Sequence, residues 1–421
     1  KARRTLYICM RDNYMDCPDR ERGQWIGDVS SQVLQTFYCL GRRSDRLSLK
    51  CINDFIRWRN GDVLRGNIPG AHPSELPSQS LHAISDHGIL LPYYLHTGDL
   101  APIRAAYPAI ISYLKLWKTG EDGLVQARRG NWHWFDHLDH QDKTVMENCW
   151  YYAALKAALQ IADLIGASGE KEWLKGRIAA LEAAFDAAFW KPDGYRAECT
   201  DERANALAVV FGLAGEDKYP VIRKILTSQA YCTPYMEAYV LEALFMMGHA
   251  DDAFERMKRR YAEMVDAGTT TLWEDFSGVG TRNHAWSGAP LSLMCKYGAG
   301  VAPVTPGYET YHVLPQMGPL KHIKTTVPSV KGDIGVELQN AANTFTMNLT
   351  SPADTTAIIG IPKRDDVSIA SIKANGQTVW ENGKPRADID GLDFKEDAEH
   401  YIMFTVQPGN WRVDASLSKP D

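Results

Sequence analysis

Apolar side chains recur three and four positions apart along residues 1 to about 299, and alternate with polar ones beyond that point. In the first stretch Ala153, Leu155, Ala158, Leu159, Ala162 and Leu164 fall on one face of a helix. The same reading places helices near 2–13, 29–41, 45–59, 78–97, 99–118, 145–165, 168–189, 201–213, 219–229, 234–248, 250–266 and 283–297. Gly41, Gly98-Asp99, Gly166-Ala167-Ser168 and Gly248-His249 supply stops between neighbours. Twelve helices, several with very short links, predict six antiparallel hairpins closed into an (α/α)6 toroid. No internal repeat supports the symmetry, and an irregular α-solenoid is the alternative.

The texture changes near residue 300. Leu320-Lys321-His322-Ile323-Lys324-Thr325-Thr326-Val327 and Thr344-Phe345-Thr346-Met347-Asn348-Leu349 alternate apolar with polar, and Asn375-Gly376 and Pro408-Gly409-Asn410 supply turns. The expected architecture is mainly α: a six-hairpin toroid over 1–299 followed by an antiparallel β-sandwich over 300–421. The longer loops, 14–28, 60–77, 119–144, 190–200 and 267–282, all belong to the helical part. A toroid collects such loops at one end, where a pocket forms.

Charge narrows the partners. The net charge is −6, and Lys258-Arg259-Arg260 reads as the solvated face of a helix, so nucleic acid and anionic membrane are poor partners. No apolar run approaches the length that spans a bilayer. The eight cysteines (Cys9, Cys17, Cys39, Cys51, Cys149, Cys199, Cys232 and Cys295) are scattered, contain no CxxC pair, and read as free thiols rather than a disulfide or zinc framework. Lys1-Ala2-Arg3-Arg4 runs straight into helical pattern, so the chain reads as a fragment or processed product. The 12 Trp and 19 Tyr fit a large core, but several Trp stand beside carboxylates, which suits a flat apolar face against a sugar ring.

Three stretches carry the chemistry. Asp16-Cys17-Pro18-Asp19-Arg20-Glu21-Arg22-Gly23-Gln24-Trp25-Ile26-Gly27-Asp28 is too polar for core and is punctuated by Pro and Gly; an exposed turn with local salt bridges is the bland reading. Thr269-Thr270-Thr271-Leu272-Trp273-Glu274 reads as extended and precedes Arg282-Asn283-His284-Ala285-Trp286. Gly130-Asn131-Trp132-His133-Trp134-Phe135-Asp136-His137 packs aromatics and histidines into one loop. His133 and His137 there read as hydrogen-bonding loop residues, since no acid–His spacing supports a metal. Glycoside hydrolysis needs two carboxyl groups, one donating a proton to the leaving oxygen and one ionised. Glu21, near Trp25, and Glu274, beside Trp273, are the natural pair, because closing a toroid brings its first and last hairpins together.

The thirteen-residue stretch from Asp16 to Asp28 resembles the DCP–(R)E–W–GD signature of the α-L-rhamnosidases of glycoside hydrolase family 78. Thr271-Leu272-Trp273-Glu274 and Asn283-His284-Ala285 are similar to that family's later Trp-Glu and His motifs, and the resemblance runs from about residue 3 to the C-terminus. It implies an inverting exo-hydrolase that releases terminal α-L-rhamnose from rhamnosides or rhamnose-containing glycans. Glu21 is then the general acid and Glu274 the general base. The resemblance further implies that Asp16 and Asp28 bind sugar hydroxyls, with Arg20 and Asp136 in the same substrate-binding set. Trp25, Trp132, Trp273 and His284 would wall the pocket. No cofactor or metal is implied, and nothing has the spacing of a Ca²⁺ loop.

Two departures stand out. Gly130-Asn131-Trp132 replaces the family's Gly-Asp-Trp, so that carboxylate is missing or replaced by Asp136. The family also normally carries β-rich domains before the barrel, whereas this sequence starts almost at the signature, so the expectation is either that those domains are separate from it or that it is a shortened form. The alternatives are a six-hairpin hydrolase or lyase acting on another sugar or a uronic acid, and a non-catalytic sugar-binding protein, which would have no need of an acid–base pair.

Overall fold

The computed structural model describes residues 1–69, 74–364, 366–386 and 389–418. Part of the predicted 60–77 loop and the last three residues of the predicted sandwich lie outside the described residues. The chain forms two compact units, one of Lys1–Thr36, Arg43–Tyr94 and Asp99–Pro290, the other of Phe37–Arg42, Leu95–Gly98 and Leu291–Asp421.

The first unit is helical. Its elements are α1 (Ala2–Ile8), α2 (Ile26–Cys39), α3 (Asp45–Arg57), α4 (Pro77–Ile84), α5 (Leu90–Thr97), α6 (Ala101–Lys115) and α7 (Lys143–Ile165). They continue as α8 (Lys171–Phe189), α9 (Glu202–Val210), α10 (Tyr219–Ser228), α11 (Pro234–Met246), α12 (Ala250–Asp266) and the short α13 (Ala289–Leu293), with α2, α5 and α13 crossing between the units. A two-strand hairpin, β1 (Trp190–Lys191) with β2 (Gly194–Tyr195), links α8 to α9.

Burial separates inner from outer helices. Every residue of α4 and of α9 is buried, as expected of helices covered on all sides. In contrast α3 buries Ser48, Cys51, Ile52 and Phe55, a single stripe with a solvated back. The inner helices pack in the order α4, α7, α9, α11, and α8, α10 and α12 lie on α7, α9 and α11 respectively. A 3₁₀ turn at Ala285–Gly288 packs on both α11 and α1, so the end of the unit meets its beginning. Hydrogen bonds fasten that closure: Leu272 N to Thr5 Oγ1 (2.9 Å), Lys1 Nζ to Met264 O (2.7 Å) and Gln35 Nε2 to Ala285 O (2.8 Å).

Four predicted segments change, the first three of them for local reasons. The first helix stops at Ile8 rather than 13, because Arg11-Asp12-Asn13 makes a turn closed by Arg11 N to Asn13 O (3.0 Å). The helix expected at 29–41 begins at Ile26, which places Asp28 in its first turn, where a carboxylate opposes the helix dipole. The single helix expected over 78–97 is two, α4 and α5, divided at Ser85–Ile89. Gly88 is required at that break: a Cβ there would lie 2.3 Å from the Ala83 carbonyl oxygen. The segment predicted as helix over 283–297 becomes the 3₁₀ turn, α13 and a π-helical turn at Met294–Gly298.

The second unit is mostly strand. Its elements are β3 (Val301–Pro303), β4 (Thr310–Val313), β5 (His322–Ser329), β6 (Gly332–Asn340), β7 (Thr344–Ser351) and β8 (Thr356–Pro362). Then follow β9 (Ser368–Ala374), β10 (Gln377–Glu381), β11 (Lys384–Pro385), β12 (Leu392–Asp397), β13 (Tyr401–Val406) and β14 (Gly409–Ser418). Among the described residues they form two sheets, ordered β11-β10-β9-β14-β7-β6-β5 and β12-β13-β8-β4-β3. Pairing is antiparallel except between β4 and β8, which run parallel. Alternate residues are buried, as in Ile402, Phe404 and Val406 or Phe345, Met347 and Leu349, so each sheet turns one face inward as sandwich sheets do.

Candidate active site

The acidic loop between α1 and α2 is held by its first carboxylate. Asp16 N donates to Gly23 O, and Gly23 N donates back to Asp16 Oδ1, both at 2.9 Å, while the Cys17 thiol donates to Oδ2 at 3.1 Å. Burial, reinforced by the charge of Asp28, pushes the Asp16 carboxyl up to about 6. The clasp projects Arg20 and Glu21 from the loop. Glu21 Oε2 accepts from Trp25 Nε1 at 2.6 Å, and its Oε1 lies 3.0 Å from Arg20 Nη2.

The other carboxylate arrives from the far end of the unit. Glu274 lies in an extended segment whose backbone N donates to Thr281 O (2.8 Å) and whose carbonyl accepts from Trp286 Nε1 (2.9 Å). Its two oxygens have different surroundings. Oε2 accepts from Thr281 N (2.8 Å) and Thr281 Oγ1 (2.9 Å), while Oε1 accepts from Arg20 Nη2 (3.0 Å) and lies 3.6 Å from His137 Nε2. Burial alone raises this carboxyl, but hydrogen bonds from His284, Thr281 and Arg20 outweigh it and hold Glu274 well below the usual carboxylate range. Gly280 makes room for it, since a Cβ there would stand 2.5 Å from Oε2.

His284 joins the two halves. Its Nε2 is 2.9 Å from Asp28 Oδ1 and its Nδ1 is 3.0 Å from Thr281 Oγ1. The Thr281 hydroxyl spends its only proton on Glu274, so it accepts from Nδ1, and both ring nitrogens then carry hydrogen. Burial opposes that charge, but Asp28 and Glu274 push His284 up to about 9. A folded-state value above the unfolded one of about 6.5 stabilises fully below about pH 6.5, and the contribution disappears as pH rises through about 9. Thermal melts of the parent and His284→Asn should therefore differ most near pH 6 and converge above pH 9. The gap at low pH is expected to reach a few kcal/mol; a constant gap would contradict the charged state.

Aromatic rings wall the cavity. Trp25 meets Trp132 edge-on at 6.4 Å, Trp132 meets Trp134 at 5.9 Å, Trp134 stacks on Trp286 at 6.2 Å, and Trp286 lies 4.2 Å from the His284 ring. The cavity measures about 350 Å³ to its open mouth, at the small end for small-molecule sites.

Of the residues expected from the sequence, Asp16, Arg20, Glu21, Trp25, Asp28, Trp132, Glu274 and His284 line this one cavity. Trp273 and Asp136 do not. Trp273 turns away from it, donating to Thr269 Oγ1 (3.0 Å) with the Arg282 guanidinium 4.8 Å above its ring. Asp136 is fully buried against Arg203 (3.2 Å) and accepts from Thr233 N (3.0 Å) and Thr233 Oγ1 (2.6 Å). Asn131 ties its own loop to Glu75, accepting from Glu75 N at 2.9 Å, so neither residue brings a carboxylate to the cavity there.

Removing one partner of a buried ion pair costs about 3–5 kcal/mol. Asp136→Ala should lower the denaturant midpoint accordingly, whereas an Asp136 that served ligand alone would leave it unchanged. Four cavity residues were not placed in the site from the sequence: Gln79, Trp134, Trp286, and His137, which read there as a hydrogen-bonding loop residue. Three of these stood inside the aromatic stretches already singled out; Gln79, on the wholly buried α4, had no local signal.

Comparison with known proteins places this geometry. Residues 1–297 match the model of the bacterial alpha-L-rhamnosidase 6 hairpin glycosidase domain, and residues 300–375 that of the bacterial alpha-L-rhamnosidase C-terminal domain. The chain belongs to this family. An alpha-L-rhamnosidase of Formosa agariphila is 20% identical over 97% of the chain, which covers 47% of that protein. The alpha-L-rhamnosidase structure from Dictyoglumus thermophilum superposes with a TM-score of 0.83 at 20% identity, covering 99% of this chain and 49% of that one. The Streptomyces avermitilis alpha-L-rhamnosidase complexed with L-rhamnose gives 0.80 at 18% identity, covering 98% and 41%. At such identities the structural likeness shows the fold. The chain spans under half the length of the curated relatives it matches.

Proposed function

We propose that this protein releases terminal α-L-rhamnose from rhamnosides by a single displacement, with Glu21 as general acid and Glu274 as general base. The observation that carries the reading is Arg20 Nη2, 3.0 Å from a carboxylate oxygen of each: one guanidinium bridges the two glutamates, and both line one small tryptophan-walled cavity. That is the equipment of a glycosidase. The sugar is taken from the relatives, which are named alpha-L-rhamnosidases, one of them crystallised with L-rhamnose.

The division of labour follows from the surroundings. Glu274 is buried and held ionised, the form a base starts in, while Glu21 is half-exposed beside Trp25, where a leaving group departs. Thr281 secures Oε2 of Glu274 from the protein side, leaving Oε1 to face the cavity. A carboxylate held this low is a weak base. Arg20, one of the groups that hold it down, lies on the cavity side, so a sugar and its water that draw Arg20 away raise Glu274 toward useful basicity. The apolar rings suit a methyl group at C6, though an apolar wall alone discriminates weakly against an added hydroxyl.

The test is proton NMR of the sugar first released from phenyl α-L-rhamnoside. A single displacement delivers β-L-rhamnose before mutarotation. Initial α-L-rhamnose would indicate a double displacement, and no rhamnose release would transfer the proposal to another sugar.

A further inference from the structure

The cavity oxygen of Glu274 has a second neighbour besides Arg20. His137 Nε2 lies 3.6 Å from Oε1, and both residues line the cavity. That separation is too long for a direct hydrogen bond, and short enough for one water, about 2.8 Å from each atom, to bridge them. Among the described residues Nε2 has no hydrogen-bond partner in the protein. The other ring nitrogen fixes what Nε2 can do. An indole N–H only donates, and Trp134 Nε1 stands 3.4 Å from Nδ1, so Nδ1 accepts and the ring carries its hydrogen on Nε2. His137 therefore presents an N–H beside the oxygen that acts as base.

The imidazole is held from behind. Its backbone N donates to Asp136 Oδ1 at 2.8 Å, and Asp136 is locked by Arg203 (3.2 Å) and Thr233 Oγ1 (2.6 Å). The same guanidinium grips the following residues through the carbonyls of Leu138 (3.4 Å) and His140 (2.6 Å). Trp134 and Trp286 flank the ring, with centroids 5.3 and 5.5 Å away. The buried Asp136–Arg203 pair thus has a task at the cavity although neither residue lines it: it sets the main chain of one that does. Arg20 differs, being half-exposed and tied to both glutamates, and in the reading above it is the group a bound sugar draws off.

We infer that His137 is the second holder of the attacking water: its Nε2–H donates to the water whose proton Glu274 Oε1 removes. This rests on the rhamnosidase reading above. The water has two hydrogens and two lone pairs to place. One hydrogen goes to Glu274, and one lone pair accepts from His137. The other lone pair forms the bond to C1 as the bond from C1 to the leaving oxygen breaks, with Glu21 supplying the proton to that oxygen. The second hydrogen stays on the new hydroxyl, and His137 keeps its own throughout. A carboxylate alone leaves the water able to swing about a single hydrogen bond. The second contact aims its lone pair, and misplacing a reacting atom by an ångström costs about a hundredfold in rate.

The experiment measures kcat and KM on methyl and phenyl α-L-rhamnoside for the parent, His137→Ala and His137→Gln, and repeats His137→Ala in the Glu274→Gln background. His137 is exposed and its backbone bond to Asp136 survives both substitutions, so both variants are expected to melt with the parent. His137→Ala should lower kcat about ten- to a hundredfold on both substrates and leave KM within about twofold. Gln places an amide N–H at the reach of Nε2, so His137→Gln should recover much of that loss. With Glu274 already replaced no base acts on the water, and removing His137 should cost less than about threefold more. Unchanged kcat in His137→Ala, or a rise in KM alone, overturns the inference, the second by giving the N–H to a sugar hydroxyl instead. A His137→Gln no faster than His137→Ala, or an equal loss in both backgrounds, overturns it as well. A parent that releases no rhamnose from either substrate removes the rhamnosidase reading itself, and the role of His137 with it.

Discussion

Glu21→Gln should lower kcat by about two to four orders of magnitude on a rhamnoside whose leaving alcohol is poor, the contribution expected of a general acid. The amide keeps the volume of the side chain, and its oxygen still accepts from Trp25 Nε1 while its NH₂ faces Arg20; the loop keeps its shape because Asp16 clasps it. What disappears is the proton for the departing oxygen. A 4-nitrophenyl leaving group departs without one, so the same variant should lose far less on that substrate. The comparison isolates the acid step from any loss of binding, because both substrates place the same sugar in the cavity. Equal losses on the alkyl and nitrophenyl rhamnosides, with an unchanged circular dichroism spectrum, would remove Glu21 from the acid role.

Glu274→Gln should cost a similar two to four orders, but without regard to the leaving group, since water must be activated whichever alcohol departs. The amide oxygen still fits opposite Thr281 N, while its NH₂ now faces Arg20 where an acceptor stood. Azide needs no base. Added to this variant, it should restore cleavage of the nitrophenyl substrate and yield β-rhamnosyl azide, the product of attack from the base's side. Rescue that gave the α-azide, or none at all, would point to another residue as base. The two variants therefore separate by leaving-group dependence and by rescue, which loss of activity alone would not achieve.

The helical and β-rich portions of the chain were legible in the sequence because their periods differ and many short segments repeat each pattern. The acidic loop was legible because so polar a run between two helices has no place in a core. What could not be read was set by partners far away in sequence. Nothing beside Asp136 announces Arg203, 67 residues on, whose buried guanidinium takes that carboxylate out of the cavity. Gln79 reaches the cavity only because the ring of inner helices turns that side of α4 inward. The break at Ser85–Ile89 depends on carbonyls crowding Gly88, and no residue in that stretch other than the glycine signals it. Trp273 is different, for its placement was open to inference. In an extended segment neighbouring side chains point to opposite sides, so a Glu274 that faces the cavity sends Trp273 the other way.

The closure described for the helical unit has a consequence for synthesis. Arg20 and Glu274 are 254 positions apart, and Thr281 and His284, which set the charge of Glu274, follow it. On the ribosome the acidic loop emerges early and waits, Arg20 without Glu274 and Asp28 without His284, until the last hairpin of the unit clears the exit tunnel. A nascent chain arrested before residue 274 carries twelve of the thirteen α-helices, α1 to α12, but lacks Glu274, Thr281 and His284, so the proposed activity should report the completion of the ring rather than the folding of any part of it.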